Sequence, residues 1–140
     1  MSLAPAFISV EEALFLHTQQ IRRYGGAAGV RDPGALDSAV TGVQQTFGGE
    51  YVYSGITEMA TAYLFRICQN HPFVDGNKRT ALAVCHAFLL MNGYELEMTE
   101  HEAEEVVLSV AKGELGRVEL LSVLGSRIKQ PGANEGRPEA

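Results

Sequence analysis

The run from Thr80 to Met91 carries apolar side chains on nearly every face of a helix. Such a helix is stable only where lipid or other protein elements surround it. It falls well short of the roughly 18 consecutive apolar residues at which a bilayer span becomes plausible. The run is therefore read as the buried central helix of a mainly α bundle, and the other elements are expected to wrap around it.

Enough amphipathic segments flank it to do so. Ser9-Val10-Glu11-Glu12 has the form of a capping box, after which Val10, Leu14, His17, Ile21 and Tyr24 recur at helical spacing until Gly25-Gly26. Asp32-Pro33 pairs a cap with a first-turn proline and opens a second helix carrying Leu36, Ala39, Val40 and Val43 to about Gln45. Ile56, Met59, Ala60, Tyr63, Leu64 and Ile67 mark a third helix. Beyond the central run, Thr99-Glu100-His101-Glu102 forms a second capping box leading to Val106, Val107 and Val110. A last helix is expected from Val118, Leu121, Leu124 and Ile128. Strands are limited to the alternation at Tyr94, Leu96 and Met98, and to a possible exposed hairpin or flap at Tyr51-Val52-Tyr53, between Gly48-Gly49 and Gly55.

A chain of 140 residues with 46% hydrophobic content fills one core but not two. One domain is expected over residues 1–129, with a mobile Pro- and Gly-containing tail over 130–140. Residues 1–3 are set aside. The net charge of -6 and pI near 5.2 exclude a broad basic footprint, so no nucleic-acid partner is expected. No membrane-spanning run or leader is legible, and a cytoplasmic protein is expected. Cys68 and Cys85 sit in apolar helical patterns and read as reduced, buried thiols. His17 and His86 lie on apolar helical runs and read as buried structural histidines.

The anomaly lies between the third and fourth helices, at His71-Pro72-Phe73-Val74-Asp75-Gly76-Asn77-Lys78-Arg79. A residue before proline is pushed away from helical geometry, so His71 is expected to end its helix in an extended conformation. Phe73 is expected to anchor the turn inward, and Asn77 to cap the next helix. Lys78 and Arg79 then fall in a first helical turn, where each cation is disfavoured by about 0.3–1 kcal/mol. A bound anion explains the pair, because the amides after Gly76 and both side chains converge on phosphate oxygens. A carboxylate beside a phosphate site is a usual magnesium ligand, which points to Asp75. His71 carries an imidazole, the side chain best suited here to take a proton from an attacking hydroxyl. Taken singly, a histidine before proline or a Lys-Arg pair is ordinary solvated surface. Joined in this order they give a base, a metal ligand and an anion cradle, sufficient for transfer of a phosphoryl or nucleotidyl group.

The string from His71 to Arg79, continued by Thr80-Ala81-Leu82, resembles the signature of the Fic/Doc superfamily. Its Asn77-Lys78-Arg79 form is similar to the Doc, or death-on-curing, branch. Similarity extends through Ile8-Ser9, Arg23-Tyr24-Gly25-Gly26, Arg31-Asp32-Pro33-Gly34 and Asn92-Gly93-Tyr94. The resemblance implies a compact helical Fic-type fold, with His71 as general base and Asp75 as Mg2+ ligand. It also implies that Gly76, Asn77, Lys78 and Arg79 bind the phosphates of ATP or another nucleoside triphosphate. AMP-transferring members typically carry glycine where Lys78 stands and a second arginine where Leu82 stands. Doc-like members resemble kinases, with Lys78 at the place of their catalytic lysine, that phosphorylate a threonine of a translation elongation factor. Ala83 stands where the Doc pattern often has asparagine.

The first reading is thus a Doc-like kinase toxin, with a nucleotidyltransferase moving AMP and a catalytically silent binding module as the alternatives. The self-inhibitory pattern of many Fic proteins has no complete match, since Thr46 to Glu50 is followed by Tyr51. The resemblance therefore implies a separate small antitoxin as partner, besides a target protein bearing a hydroxyl. The Tyr51–Tyr53 flap is read either as a lid on the core or as an edge that pairs with a target peptide.

Overall fold

The computed structural model describes residues 4–131. The expected tail, apart from Gln130 and Pro131, lies outside the described residues, as do Met1 to Leu3. The elements run α1 (Val10–Tyr24), α2 (Pro33–Thr41), a 3-10 turn (Gly42–Gln44), β1 (Thr46–Phe47), β2 (Glu50–Tyr51), α3 (Ile56–Asn70), α4 (Asn77–Met91), β3 (Glu95–Leu96), α5 (Glu100–Ala111), α6 (Arg117–Gly125) and β4 (Ile128–Lys129). The mainly α fold is as expected.

The capping chemistry written in the sequence sets the helix starts. Ser9 Oγ accepts the Glu12 N–H at 3.0 Å while Glu12 returns a bond to the Ser9 N–H at 2.8 Å. Thr99 and Glu102 repeat the exchange at α5. Glu102 also accepts from Arg127 at 2.8 Å, and that bond first, with the Thr99 amide second, draws its carboxyl down to about 2.

The pair α3 and α4 forms the centre: α1 packs on α4, α2 and α6 pack on α3, and α5 packs against both. Tyr63 and Phe88 meet in the core with ring centroids 5.0 Å apart. The Tyr63 hydroxyl accepts the Ile8 N–H at 2.9 Å, and burial pushes its pKa up to about 12.

Three expectations need correction. The central helix is not enclosed on every side: Thr80, Ala81, Val84, Cys85, Phe88 and Leu89 are buried, whereas His86 is exposed and Leu90 and Met91 are 56% and 44% exposed. Its open face borders a cleft against α5. In α6 the buried residues are Leu120 and Leu124, while Val118 is 68% exposed. Ile128 has left the helix to pair with Leu96 in the β3–β4 ladder. The hairpin exists, but its strands close around Gly48-Gly49, pairing Thr46 with Tyr51 and Phe47 with Glu50. Cys85 is fully buried and Cys68 half-buried, both free, with burial raising their thiols to about 12 and 11.

Among the described residues no helix is long and apolar enough to cross a membrane.

Candidate active site

Helix α3 ends on a left-handed residue. His71 has φ 49° and ψ 55°, and its N–H closes the helix on the Ile67 carbonyl at 3.0 Å. It is the one non-glycine residue with positive φ among those described. The extended conformation expected before Pro72 is therefore not adopted. One left-handed residue costs about 1–2 kcal/mol, a cost that histidine meets more readily than most. Offsetting bonds come from a segment outside the loop. Arg31 Nε donates to the His71 carbonyl at 2.7 Å and its Nη2 to the Asn70 carbonyl at 3.0 Å, so that an arginine caps the α3 C-terminus. The Pro72 carbonyl accepts from the Arg31 and Asp32 amides at 2.7 and 3.1 Å, and the Val74 N–H reaches the Gly29 carbonyl at 3.0 Å. This leaves the His71 side chain exposed.

Phe73 turns inward as expected and is fully buried, its ring stacked on that of His17 at 3.9 Å and 5°. Asn77 does not cap α4. Gly76 takes that position with φ 76°, and no side chain caps the helix start. The Asn77 amide is buried instead and clasps Phe73, accepting its N–H and donating to its carbonyl, both at 2.9 Å. Replacing Asn77 with alanine strands both Phe73 backbone groups in a dry site, for which a loss of about 1–3 kcal/mol is expected. The urea midpoint of the variant checks this.

Asp75 is exposed, with both carboxylate oxygens engaged from the backbone. Oδ2 accepts the Ala27 N–H at 3.1 Å and Oδ1 the Gly76 N–H at 2.9 Å. The Ala27 bond, then the Gly76 bond, hold its carboxyl below the ordinary 3.8, with smaller help from Arg79 and Lys78. Gly26 allows the approach: at φ 117°, an added Cβ there would lie 2.9 Å from Asp75 Oδ2.

Lys78 and Arg79 project into a cleft of about 450 Å³ between α1, α4 and α5. Arg79 lies 5.2 Å from the centre of the Tyr24 ring and donates to the Gly25 carbonyl at 3.2 Å. Leu82, Ala83, Val107 and Leu108 form apolar walls, and Glu100 and Glu104 the acidic rim. His86, expected to be buried, opens onto the same cleft. His71 and Asp75 lie outside it, so the loop brings its groups to two adjoining surfaces rather than into one pocket.

Sequence reasoning missed the residues that hold the loop. His17 is buried and structural as expected, at 4% exposure, but the sequence does not show that its Nε2 lies 2.8 Å from the Asp75 carbonyl. A polar side chain within an apolar stripe was the available signal. Arg31 stands within the family similarity, but its role is not legible because it depends on a contact 40 residues away in sequence.

Residues 7–89 match the model of the Fic/DOC family, which covers α1 through most of α4 and includes the whole loop. The chain is 35% identical over 108 residues to the protein kinase doc of Escherichia phage P1, covering 77% of this chain and 84% of that protein. It is 41% identical over 90 residues to toxin Doc of Mycolicibacterium smegmatis, covering 63% of this chain and 69% of that one. With more than half its length matched and its loop intact, the chain belongs to the Fic/Doc family.

Proposed function

We propose that this chain is a Doc-like toxin that moves the γ-phosphoryl group of ATP, or of another nucleoside triphosphate, to a hydroxyl side chain of a target protein. The observation that carries the reading is the convergence on one loop of an exposed histidine, an ionised carboxylate and an uncapped helix start bearing Lys78 and Arg79. The main-chain amides of Asn77, Lys78 and Arg79 occupy the helix turn that lacks intrahelical partners, and with the two cationic side chains they suit phosphate oxygens. The Asn77 side chain contributes by holding Phe73 rather than by meeting the nucleotide.

His71 takes the proton of the attacking hydroxyl, whose oxygen bonds to the γ-phosphorus. The bond from that phosphorus to the β,γ-bridging oxygen breaks, and the nucleoside diphosphate leaves with its electron pair. Lys78 and Arg79 stabilise the charge on the phosphates. Asp75 fits an Mg2+ ligand: it is exposed and ionised, and each of its oxygens keeps a lone pair beyond the one given to a backbone N–H. Among the described residues no cluster of three acidic, His or Cys side chains forms a metal site of its own, which suits an ion bound largely through the nucleotide. When bound, Mg2+ neutralises phosphate charge and orients the triphosphate.

Phosphoryl transfer is preferred over AMP transfer because Lys78 and Leu82 occupy the cleft where AMP-transferring relatives typically have glycine and a second arginine. The printed name of the phage P1 relative supports the same choice. The resemblance to Doc-like members implies a threonine of a translation elongation factor as the target. A small antitoxin is the regulating partner, since Thr46 to Glu50 is spent on the β1–β2 hairpin. An antitoxin segment that orders on binding suits the apolar cleft walls between Lys78 and Glu104.

The test uses ATP labelled separately at the α and γ phosphates, with Mg2+ and cell extract. Label from the γ position on a protein band is expected. Label from the α position replaces the kinase by an AMP transferase. Transfer of neither label, by wild type and His71→Ala alike, leaves only the binding module.

A further inference from the structure

We infer that one face of α1 presets the transfer loop, and that His17 is the positioning residue at its centre. This rests on the proposed role of the loop. His17, Ile21 and Tyr24 follow one another at i, i+4 and i+7, so they share a helical stripe. Each turn of that stripe holds a different loop residue. His17 stacks on Phe73 and bonds the Asp75 carbonyl at 2.8 Å. Ile21 backs Gly76 so closely that an added Cβ there would lie 3.1 Å from Ile21 Cδ1. Tyr24 lies against the Arg79 guanidinium.

The His17 bond has a directional consequence. A carbonyl only accepts, so the Nε2 facing it carries the proton. The Asp75–Gly76 peptide is planar and trans, so its carbonyl and N–H point opposite ways. Fixing the carbonyl on His17 thereby aims the Gly76 N–H at Asp75 Oδ1, 2.9 Å away. Gly76 has no Cβ and sits at φ 76°, so its own conformation does little to prevent this peptide from turning over. At 4% exposure His17 meets no substrate; it acts through the loop.

Two classes of variant separate the donor from the ring. His17→Phe keeps a flat buried ring without the N–H, and His17→Asn, whose amide stops short of the carbonyl, is a second donor-free form. His17→Gln restores a donor at similar reach without the ring. Amide hydrogen exchange at Gly76 in the full chain is expected to speed up about tenfold in the donor-free forms and to stay near wild type in His17→Gln. In the labelled-ATP assay, kcat is expected to fall about 10- to 100-fold in the donor-free forms with KM for ATP nearly unchanged, and to recover largely in His17→Gln. Unchanged exchange and kcat in folded His17→Phe or His17→Asn overturns the inference, as does His17→Gln behaving like the donor-free forms. If wild type transfers neither label, the transferase reading fails while exchange at Gly76 still decides the role of His17.

Discussion

Replacing His71 with alanine is expected to lower γ-label transfer about 10²–10⁴-fold, the usual contribution of a positioned general base. Its side chain is exposed, so the loss should come with little change in core packing. The left-handed backbone supplies an internal control. At φ 49° an alanine carries the full penalty of a Cβ against the following carbonyl, whereas glycine does not. His71→Ala and His71→Gly should be equally inactive, yet the glycine form should be more stable by about 1 kcal/mol. Transfer rates and thermal melts of the two variants measure both effects. Activity retained in either removes His71 as the base.

Asp75→Asn carries the second large effect. Losing the anionic ligand removes several kcal/mol of charge stabilisation, a fall of about 10²–10³-fold in kcat/KM. The substitution also has a pH signature. The folded state holds the Asp75 carboxyl below its ordinary 3.8, so the ionised form is the one stabilised. That contribution is complete above pH 3.8 and is lost as pH falls through the lower folded-state value. Wild type should therefore melt above Asp75→Asn near neutrality, and the two should converge on acidification. A gap that widened in acid would contradict the backbone bonds from Ala27 and Gly76.

Local chemistry made much of this fold legible. The Ser9–Glu12 and Thr99–Glu102 boxes and the Asp32-Pro33 start lie within a turn of the helices they begin, and all three stand where the residues predict. The errors occurred where a distant segment decides. Ile128 fits a helical stripe after Leu121 and Leu124, but pairing with Leu96 draws it into a strand. His86 lies in a run that reads as buried all round, yet α5 stands off and leaves a cleft there. The rule for residues before proline gives an extended His71, and the Arg31 side chain overrides it. Within the loop, residue types suggested roles but not supports: Asn77 resembles a helix cap and is a buried clasp on Phe73. The positions of Asp75, Lys78 and Arg79 at a helix start followed from sequence because they depend only on where α4 begins.

The bonds that shape the loop have a kinetic meaning. Apart from the Asn77–Phe73 clasp, the side-chain bonds tying it to the rest of the protein join residues 39 to 58 apart in sequence. Closing chain loops of this size has an entropic cost that hardly differs across the range. No one of these bonds is then favoured to form ahead of the others. Catalytic competence should accordingly be an all-or-none property of the folded chain. In urea, transfer activity and the near-ultraviolet signal of core Tyr63 should vanish over one shared transition.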